Sequence, residues 1–523
     1  MTPRPLSPFE AQDIRTLIDG QAARRGQHPL LIWEPFEGEG RTWSYAEFAE
    51  AVRRFAAGLQ ARGGQPGDRV IVHFENCPES LIAWLGSAYA GLVPVTTNAK
   101  SSVDELSYFA IHSRAIGGVT QPRFAADLDR AAPQLAWIAV SADDNGAAPT
   151  ADLPARAEPF AAIDADPATL AQRPHDPFAP FGIQYTSGTT ARPKAVLWTH
   201  ANALWGARVC AMHEDLRPDD VHLVYLPLFH TNAQVYSVMA AYWAGASVVL
   251  HPRFSASRFW PTSHKWGCTW TSMVPFCLQA LATQPIPETH SYRFWGNGVC
   301  APRTDALFRV KTIGWWGMTE TIAHGTVGSA LHDDAPMSMG RPSPAYGIHV
   351  LDADMNPVAP GETGDLYVEG VRGVSLFAEY AEDPEATARA FTPDGLFITG
   401  DRVRVGADGA LYFADRSKDM LKVGGENVAA SEIERVVAQT PGVREVAVVG
   451  RRHPMLDEVP VAFVIPVDPA DLDLPERAMA LCREALASFK QPHEIRLVPE
   501  LPRSTLEKIA KAELRAILAA ESA

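Results

Sequence analysis

Apolar residues along this chain fall into two recurring patterns that take turns, helical spacing and short β-branched runs. Ser44 and Glu47 form a capping box ahead of Tyr45, Phe48, Val52, Phe55 and Leu59, which repeat at helical spacing until Gly63-Gly64. The run Val70-Ile71-Val72 follows, then a buried helix through Ala83 to Ala90, a strand over Val93 to Thr97, and a second capping box at Ser102 and Glu105. Such alternation predicts βαβ units and a parallel sheet. Between Ser141 and Pro180 the chain turns to Ala, Pro and Asp, and a long surface connection is expected.

The alternation then resumes. Helices are expected over Ala201 to Leu216, Asn232 to Trp243 and Phe276 to Thr283. Strands are expected over Val221 to Leu226, Ser247 to His251, Thr269 to Val274 and Tyr292 to Trp295. From Gly340 to about Gly409, Pro-Gly and Asp-Gly turns separate short apolar runs, which reads as a β-rich segment. After Arg416 a small αβ unit is predicted, with Ser431 and Glu434 capping a helix, strands over Val443 to Val449 and Val459 to Ile465, and helices over Arg477 to Leu486 and Ile509 to Leu518. The expected architecture is α/β: a large N-terminal domain (1–416) of two βαβ-type subdomains plus a β-rich subdomain, then a small α+β C-terminal domain (417–523).

Composition narrows the function. With 61 acidic and 46 basic residues the chain carries about fifteen net negative charges, which argues against binding nucleic acid or an anionic membrane nonspecifically. Six scattered cysteines form no C-x-x-C pair, so neither a disulfide framework nor a zinc motif is indicated and a reducing cytoplasm fits. No apolar stretch is long enough to predict a membrane span.

The candidate chemistry centres on Tyr185-Thr-Ser-Gly188-Thr-Thr-Ala191-Arg-Pro193-Lys194. A strand entering a turn rich in hydroxyls and backbone N–H groups, with a lysine beyond it, suits phosphate oxygens. It is not a Walker loop, which needs a second glycine before the lysine. Taken alone, its bland rival is a polar surface turn, since Ser/Thr/Gly clusters are ordinary loop signals. Gly296-Asn-Gly298-Val-Cys-Ala301 formally matches a dinucleotide fingerprint, but Pro302 follows at once and no helix is expected to open there. Taken singly, His230 reads as a satisfied histidine, Trp316 as core, Asp401 as a turn residue and Lys508 as a solvated charge.

In their order and spacing these motifs resemble the AMP-forming adenylating family of acyl-CoA synthetases, carrier-loading adenylation domains and beetle luciferases. The resemblance runs over nearly the whole chain. It implies a phosphate loop holding nucleotide oxygens through Thr186, Ser187, Gly188, Thr189, Thr190 and Lys194. It makes Pro227-Leu-Phe-His230 the turn with a gate residue, His230, beside the acyl site, and puts Gly298 against the adenine. In Trp316-Gly-Met-Thr319-Glu320, Trp316 would face the base, Thr319 would donate to phosphate, and Glu320 would anchor Mg²⁺. Asp401 would hold the ribose, Arg416 would also contact nucleotide, and Lys418 would be the hinge. Lys422, Gly424 and Gly425 would form the loop that admits the thiol, and Lys508 would be the adenylation lysine on a mobile tail domain.

By the same resemblance the acyl pocket comprises Asn232, Ala233, Val299, Gly317 and Met318 with His230. These are mostly small or apolar, so a hydrophobic or cyclic acid is expected. The implied partners are ATP, Mg²⁺, coenzyme A and a carboxylic acid or its acyl-adenylate. A homodimer is compatible with this reading. Three positions depart from the family pattern: Ala191, Ala195 and Glu507. They leave open an enzyme that converts a supplied acyl-adenylate to the thioester, or a catalytically silent nucleotide-binding relative. A luciferase-type oxygenase or a carrier loader would share the same residues.

Overall fold

The computed structural model describes residues 8–521 except 102, 151, 187–192, 417–419, 424–425, 455, 487 and 504–508. The chain groups into two compact units, Met1–Ile348 with Val368–Phe397, and His349–Tyr367 with Ile398–Ala523.

The first unit carries two mainly parallel sheets. In one, strands Val93–Thr97, Arg69–His73, Gly117–Thr120, Ile138–Val140 and Ala157–Pro159 run parallel in that order, and Pro180–Thr186 joins parallel on the other side of Val93–Thr97. Lys194–Thr199 and Glu379–Tyr380 extend that edge antiparallel. Ile71, Val93, Val95, Ile138, Val140 and Ile183 are buried together in its core. The expected helix is present as Tyr45–Ala61. The Glu47 N–H donates to Ser44 Oγ at 3.2 Å, and Glu47 Oε2 accepts from the Ser44 N–H at 2.8 Å.

The second sheet runs Arg341–Pro342, Thr326–Val327, Lys311–Trp316, Phe294–Asn297, Trp270–Ser272, Val221–Val224, Ser247–Leu250, Pro29–Trp33, Arg41–Ser44 among the described residues. Its six central strands are parallel. Phe259, Trp260, Tyr292, Trp295 and Phe308 fill its core.

The second unit holds a four-stranded sheet ending in Phe397–Val405 and Leu411–Arg416, and a sheet ordered Glu426–Ala429, Met420–Val423, Asp457–Pro466, Val443–His453, with Glu494–Leu497 parallel to Asp457–Pro466. Helices Ala430–Val437 and Leu474–Ala485 share a buried core with this second sheet.

Several expectations are corrected. The connection after Ser141 is not wholly a surface segment: Ala157–Pro159 adds a parallel strand and Ile163 is buried. A helix, Pro302–Phe308, does open after Ala301, because proline at the first helical position lacks only an N–H that would have no helical partner. The stretch expected as one helix from Asn232 is a π-helix, Asn232–Met239, followed by Ala240–Ala244. Ser431 lies inside helix Ala430–Val437, not before it, and its hydroxyl donates to the Ala414 carbonyl. Ser102 lies outside the described residues.

Candidate active site

Parallel strands present their carboxyl ends on one edge, where chain reversals gather polar groups. Strand Lys311–Trp316 ends there and runs through Gly317-Met318 into a 3₁₀ turn, Thr319–Thr321. Thr321 makes the turn: its Oγ1 accepts from the Met318 N–H at 3.0 Å and lies 3.1 Å from the carbonyl oxygens of Met318 and Ala323. Ile322 follows at φ 62° and ψ −47°, and the Ala323 N–H bonds back to the Thr321 carbonyl at 2.6 Å. This is the rarer, strained form of γ-turn, in a β-branched residue.

Thr319 and Glu320 are held by residues from three distant stretches. Trp198 Nε1 donates to the Thr319 carbonyl at 3.0 Å, and the Thr231 hydroxyl lies 3.4 Å from that of Thr319. Tyr380 Oη donates to Glu320 Oε1 at 2.9 Å, and the Phe377 N–H donates to the Glu320 carbonyl at 2.9 Å. Glu320 is buried, 4% exposed. Burial, and then the neighbouring Glu320, push the Tyr380 phenol far above its usual range, so it stays a donor. The Lys194 ammonium sits 4.5 Å above the Tyr380 ring. Thr186 and Lys194 face each other in the antiparallel pair that flanks the expected phosphate loop, with Thr186 Oγ1 3.5 Å from the Lys194 carbonyl. Ser187, Gly188, Thr189, Thr190 and Ala191 lie outside the described residues. Ala195 is buried in strand Lys194–Thr199.

Behind Thr231 runs a buried amide network. The Thr231 hydroxyl donates to Gln184 Oε1 at 2.8 Å, Gln184 Nε2 donates to Gln234 Oε1, and Gln234 Nε2 donates to the Leu228 carbonyl at 2.6 Å. The network joins strand Pro180–Thr186 of one sheet to the π-helix packed near the other. Its helix type, rare and concentrated at functional sites, begins two residues after His230. His230 is half-buried against Phe229, with ring centroids 4.3 Å apart. Asn232 is half-buried and Ala233 buried at the π-helix start.

Gly317 faces the hydroxyl of Tyr236: a Cβ there would lie 2.4 Å from Tyr236 Oη and 2.9 Å from the Ala323 carbonyl oxygen. Met318 is half-buried in the turn. Trp316 is 7% exposed and lies against Gly325, where an added Cβ would come within 2.7 Å of its ring. At the neighbouring strand end, Gly298 is exposed with open space beside its Cα, and Val299 is half-buried and accepts from Asn297 Nδ2 at 3.0 Å.

The second unit carries Asp401, 4% exposed, whose N–H donates to Thr399 Oγ1 at 3.0 Å. Asp401 faces Arg416 in the antiparallel pair. Lys422 lies in strand Met420–Val423. The side chains of Arg416 and Lys422, and residues Lys418, Gly424, Gly425, Glu507 and Lys508, lie outside what is described.

In the first unit, then, the structure links Glu320 and Lys194 through Tyr380, and Thr319 to Trp198 and Thr231. Tyr380, Trp198, Gln184 and Thr231 were missed by the sequence reading. Nothing local marks them: each is an ordinary residue in a strand or loop, and only strand pairing brings them to Glu320 and Thr319. A buried carboxylate flanked by a phenol, hydroxyls and an ammonium at strand ends can hold a divalent cation together with anionic oxygens.

A second polar cluster lies behind this turn. His324 stacks on Trp315 at 4.4 Å and 14°, beside Tyr236 at 4.2 Å, with Cys210 and Glu214 facing it. Burial pushes the Glu214 carboxyl well up and holds the His324 imidazole well down.

Comparison with known proteins places these features in a wider set. The pattern described as AMP-binding enzyme matches residues 18–381, and that described as AMP-binding enzyme C-terminal domain matches residues 432–508. A crotonobetaine/carnitine–CoA ligase of Salmonella typhi is 34% identical over 526 residues, spanning 96% of this chain and 99% of its own length. Among solved structures, ATP-bound MatB from Rhodopseudomonas palustris matches with a TM-score of 0.83 at 27% identity, covering 97% of this chain and 99% of that one. A benzoate CoA ligase from Burkholderia xenovorans LB400 matches with a TM-score of 0.83 at 25% identity, covering 96% and 100%. No helix among the described residues is long and apolar enough to cross a membrane.

Proposed function

This chain belongs to the AMP-binding enzyme family, and on that premise we propose that it is an AMP-forming ligase that joins a hydrophobic or cyclic carboxylic acid to coenzyme A. In the first step the acid's carboxylate attacks the α-phosphorus of ATP, forming the acyl-adenylate and releasing diphosphate. In the second the thiol of coenzyme A attacks the acyl carbon and AMP leaves. The observation that carries this reading is the Thr319–Glu320 turn, fixed by Trp198, Thr231 and Tyr380 at a strand end beside Lys194. Both reactants of the first step are anionic, so the site must supply positive charge and hydrogen-bond donors where negative charge gathers.

The donor set suits magnesium, which takes one or two carboxylates and fills its remaining positions with phosphate oxygens and water. Glu320 would hold the ion, and the ion would neutralise phosphate charge. Thr319, Thr186, Ser187, Gly188, Thr189, Thr190 and Lys194 would receive the phosphate oxygens. Trp316 and Gly298 would flank the base, and Asp401 and Arg416 the sugar. Lys508 would meet the developing charge on the α-phosphate. Lys418, Lys422, Gly424 and Gly425 would serve the second step in a C-terminal domain, residues 417–523, that turns about the hinge. His230, Asn232, Ala233, Val299, Gly317 and Met318 would line the acid. Two named relatives are a crotonobetaine/carnitine–CoA ligase and a benzoate CoA ligase.

A panel of short-chain, cyclic and aromatic acids, with ATP and Mg²⁺, tests the reading when AMP and thioester are followed separately with and without coenzyme A. Thioester formation with at least one acid, and acid-dependent diphosphate exchange without coenzyme A, are expected. Thioester made only from a supplied acyl-adenylate would favour the adenylation-impaired alternative. ATP binding with no thioester from either source would overturn the assignment.

A further inference from the structure

We propose that Cys210, Glu214 and His324 form a buried binding site for a divalent transition-metal ion, best matched by Zn²⁺, separate from the magnesium–nucleotide site. Cys210 and Glu214 lie four residues apart at the end of helix His200–His213 and so share one face. His324 reaches them from the far side of the strained turn. One ligand atom from each residue lies within 4.8 Å of the other two, and His324 Nε2 is 3.8 Å from Glu214 Oε1. A tetrahedral zinc ion, with bonds of roughly 2.0–2.3 Å, sets its ligand atoms about 3.3–3.8 Å apart. The cluster therefore needs to contract by only about 1 Å.

An independent observation points to a ligand. Cys210, Glu214 and His324 each show no exposed surface. Yet both carboxylate oxygens of Glu214 and both ring nitrogens of His324 lack a hydrogen-bond partner among the described residues. Buried polar atoms are almost always satisfied, and leaving four together unsatisfied is costly. Because these atoms are sealed from solvent, a large organic cation would have to open the packing, whereas a metal ion occupies only the space between its ligands. The donor set of thiolate, imidazole and carboxylate is that of zinc, not of magnesium or calcium, which prefer oxygen alone. Three protein ligands leave a fourth position.

Loading Zn²⁺ forms three coordinate bonds, from Cys210 Sγ, Glu214 Oε and a His324 ring nitrogen. The thiol proton, and the carboxyl proton where Glu214 carries one, pass to solvent. Nothing is oxidised or reduced. The ion would pin His324, two residues beyond the positive-φ Ile322, to helix His200–His213, and so brace the turn that carries Thr319 and Glu320.

The test uses the full chain, dialysed free of magnesium and nucleotide. Elemental analysis should find one zinc per chain, and protein stripped with a strong chelator should take up one equivalent. With Co²⁺ in its place, a thiolate-to-cobalt charge-transfer absorption should appear in the near ultraviolet and vanish in Cys210→Ser. Cys210→Ser and His324→Gln should each weaken zinc affinity on the order of 100-fold. Should a variant fail to fold, the cobalt spectrum of the unaltered chain decides alone. Substoichiometric zinc with no uptake by the folded, stripped chain would overturn the proposal. So would a cobalt spectrum without the thiolate band, or full zinc retention by both variants. The cluster would then be a neutral, proton-sharing core pair.

Discussion

Replacing Tyr380 with phenylalanine removes one oxygen from the candidate site and little else. The phenol donates to Glu320 Oε1 at 2.9 Å, and its ring lies 4.5 Å beneath the Lys194 ammonium. Phenylalanine keeps the ring and its contacts with Phe377 at 4.7 Å, so packing is preserved. What is lost is a hydrogen bond to a buried carboxylate, worth about 1.5–3 kcal/mol. If Glu320 holds the magnesium ion, that loss falls on the adenylation step. At 1.36 kcal/mol per factor of ten, acid-dependent diphosphate exchange should slow by about 10- to 150-fold. The magnesium concentration needed for half-maximal rate should rise with it. The thioester step, measured from a supplied acyl-adenylate, should change less than the adenylation step. Thermal unfolding should stay within a few degrees of the parent. An exchange rate and magnesium dependence within twofold of the parent would show that Tyr380 does not position Glu320 for catalysis.

Other positions give separate tests. Gly317→Ala puts a methyl 2.4 Å from Tyr236 Oη and should cost about 1–3 kcal/mol in packing; kcat/KM for the acid should drop well below the parent's while KM for ATP holds. Lys508→Ala should abolish diphosphate exchange yet leave thioester formation from supplied acyl-adenylate, and loss of both would break the assignment of this lysine to the first step alone. Asp13 caps the start of helix Ile14–Arg25, where burial would raise its pKa but hydrogen bonding from Arg15, then electrostatic coupling to His200 and Arg15, hold it down at about 2. Because the folded value is below the unfolded 3.8, this stabilisation, about 2–3 kcal/mol at one factor of ten per 1.36 kcal/mol, is present above pH 3.8 and lost as pH falls towards 2. Asp13→Asn should therefore lower stability at neutral pH in urea titrations, and the gap from the parent should narrow towards pH 2.

Where neighbours in sequence are neighbours in space, the pattern was readable. The Ser44–Glu47 box, the helix it starts and the parallel strands at 70–72 and 93–97 need only local geometry. Failures occurred where tertiary context chose. The strand Pro29–Trp33 went unassigned, because the partner that makes it a sheet strand, Ser247–Leu250, is far away in sequence. The π-helix after His230 has the same apolar spacing as an α-helix over so short a stretch, and one extra residue per turn leaves no mark in composition. Pro302 argues in sequence against a helix opening after Ala301, yet it starts one, since proline suits the first helical position as well as a turn. The motif residues Thr319 and Glu320 were legible as a pair, but their partners were not. Glu214 falls inside the helix expected over Ala201 to Leu216, and nothing in sequence sets it opposite His324.

The turn itself shows how little margin the site has. A β-branched residue at φ 62° costs about 1–3 kcal/mol, and glycine at position 322 would avoid that cost. Ile322 is nonetheless fully buried, packed so closely that a Cβ on Gly206 would come within 2.7 Å of its Cγ2. Burying an isoleucine side chain returns about 1.5–3 kcal/mol, roughly the amount the backbone strain removes. Packing and strain thus nearly cancel at this residue, and neither alone fixes the turn. Its geometry then rests on polar contacts: Thr321 to Met318 and Ala323, Trp198 to Thr319, and Tyr380 to Glu320. A hydrogen bond deleted there acts on a segment with no surplus to absorb it, so small changes around Thr319 and Glu320 should be felt more in rate than in stability.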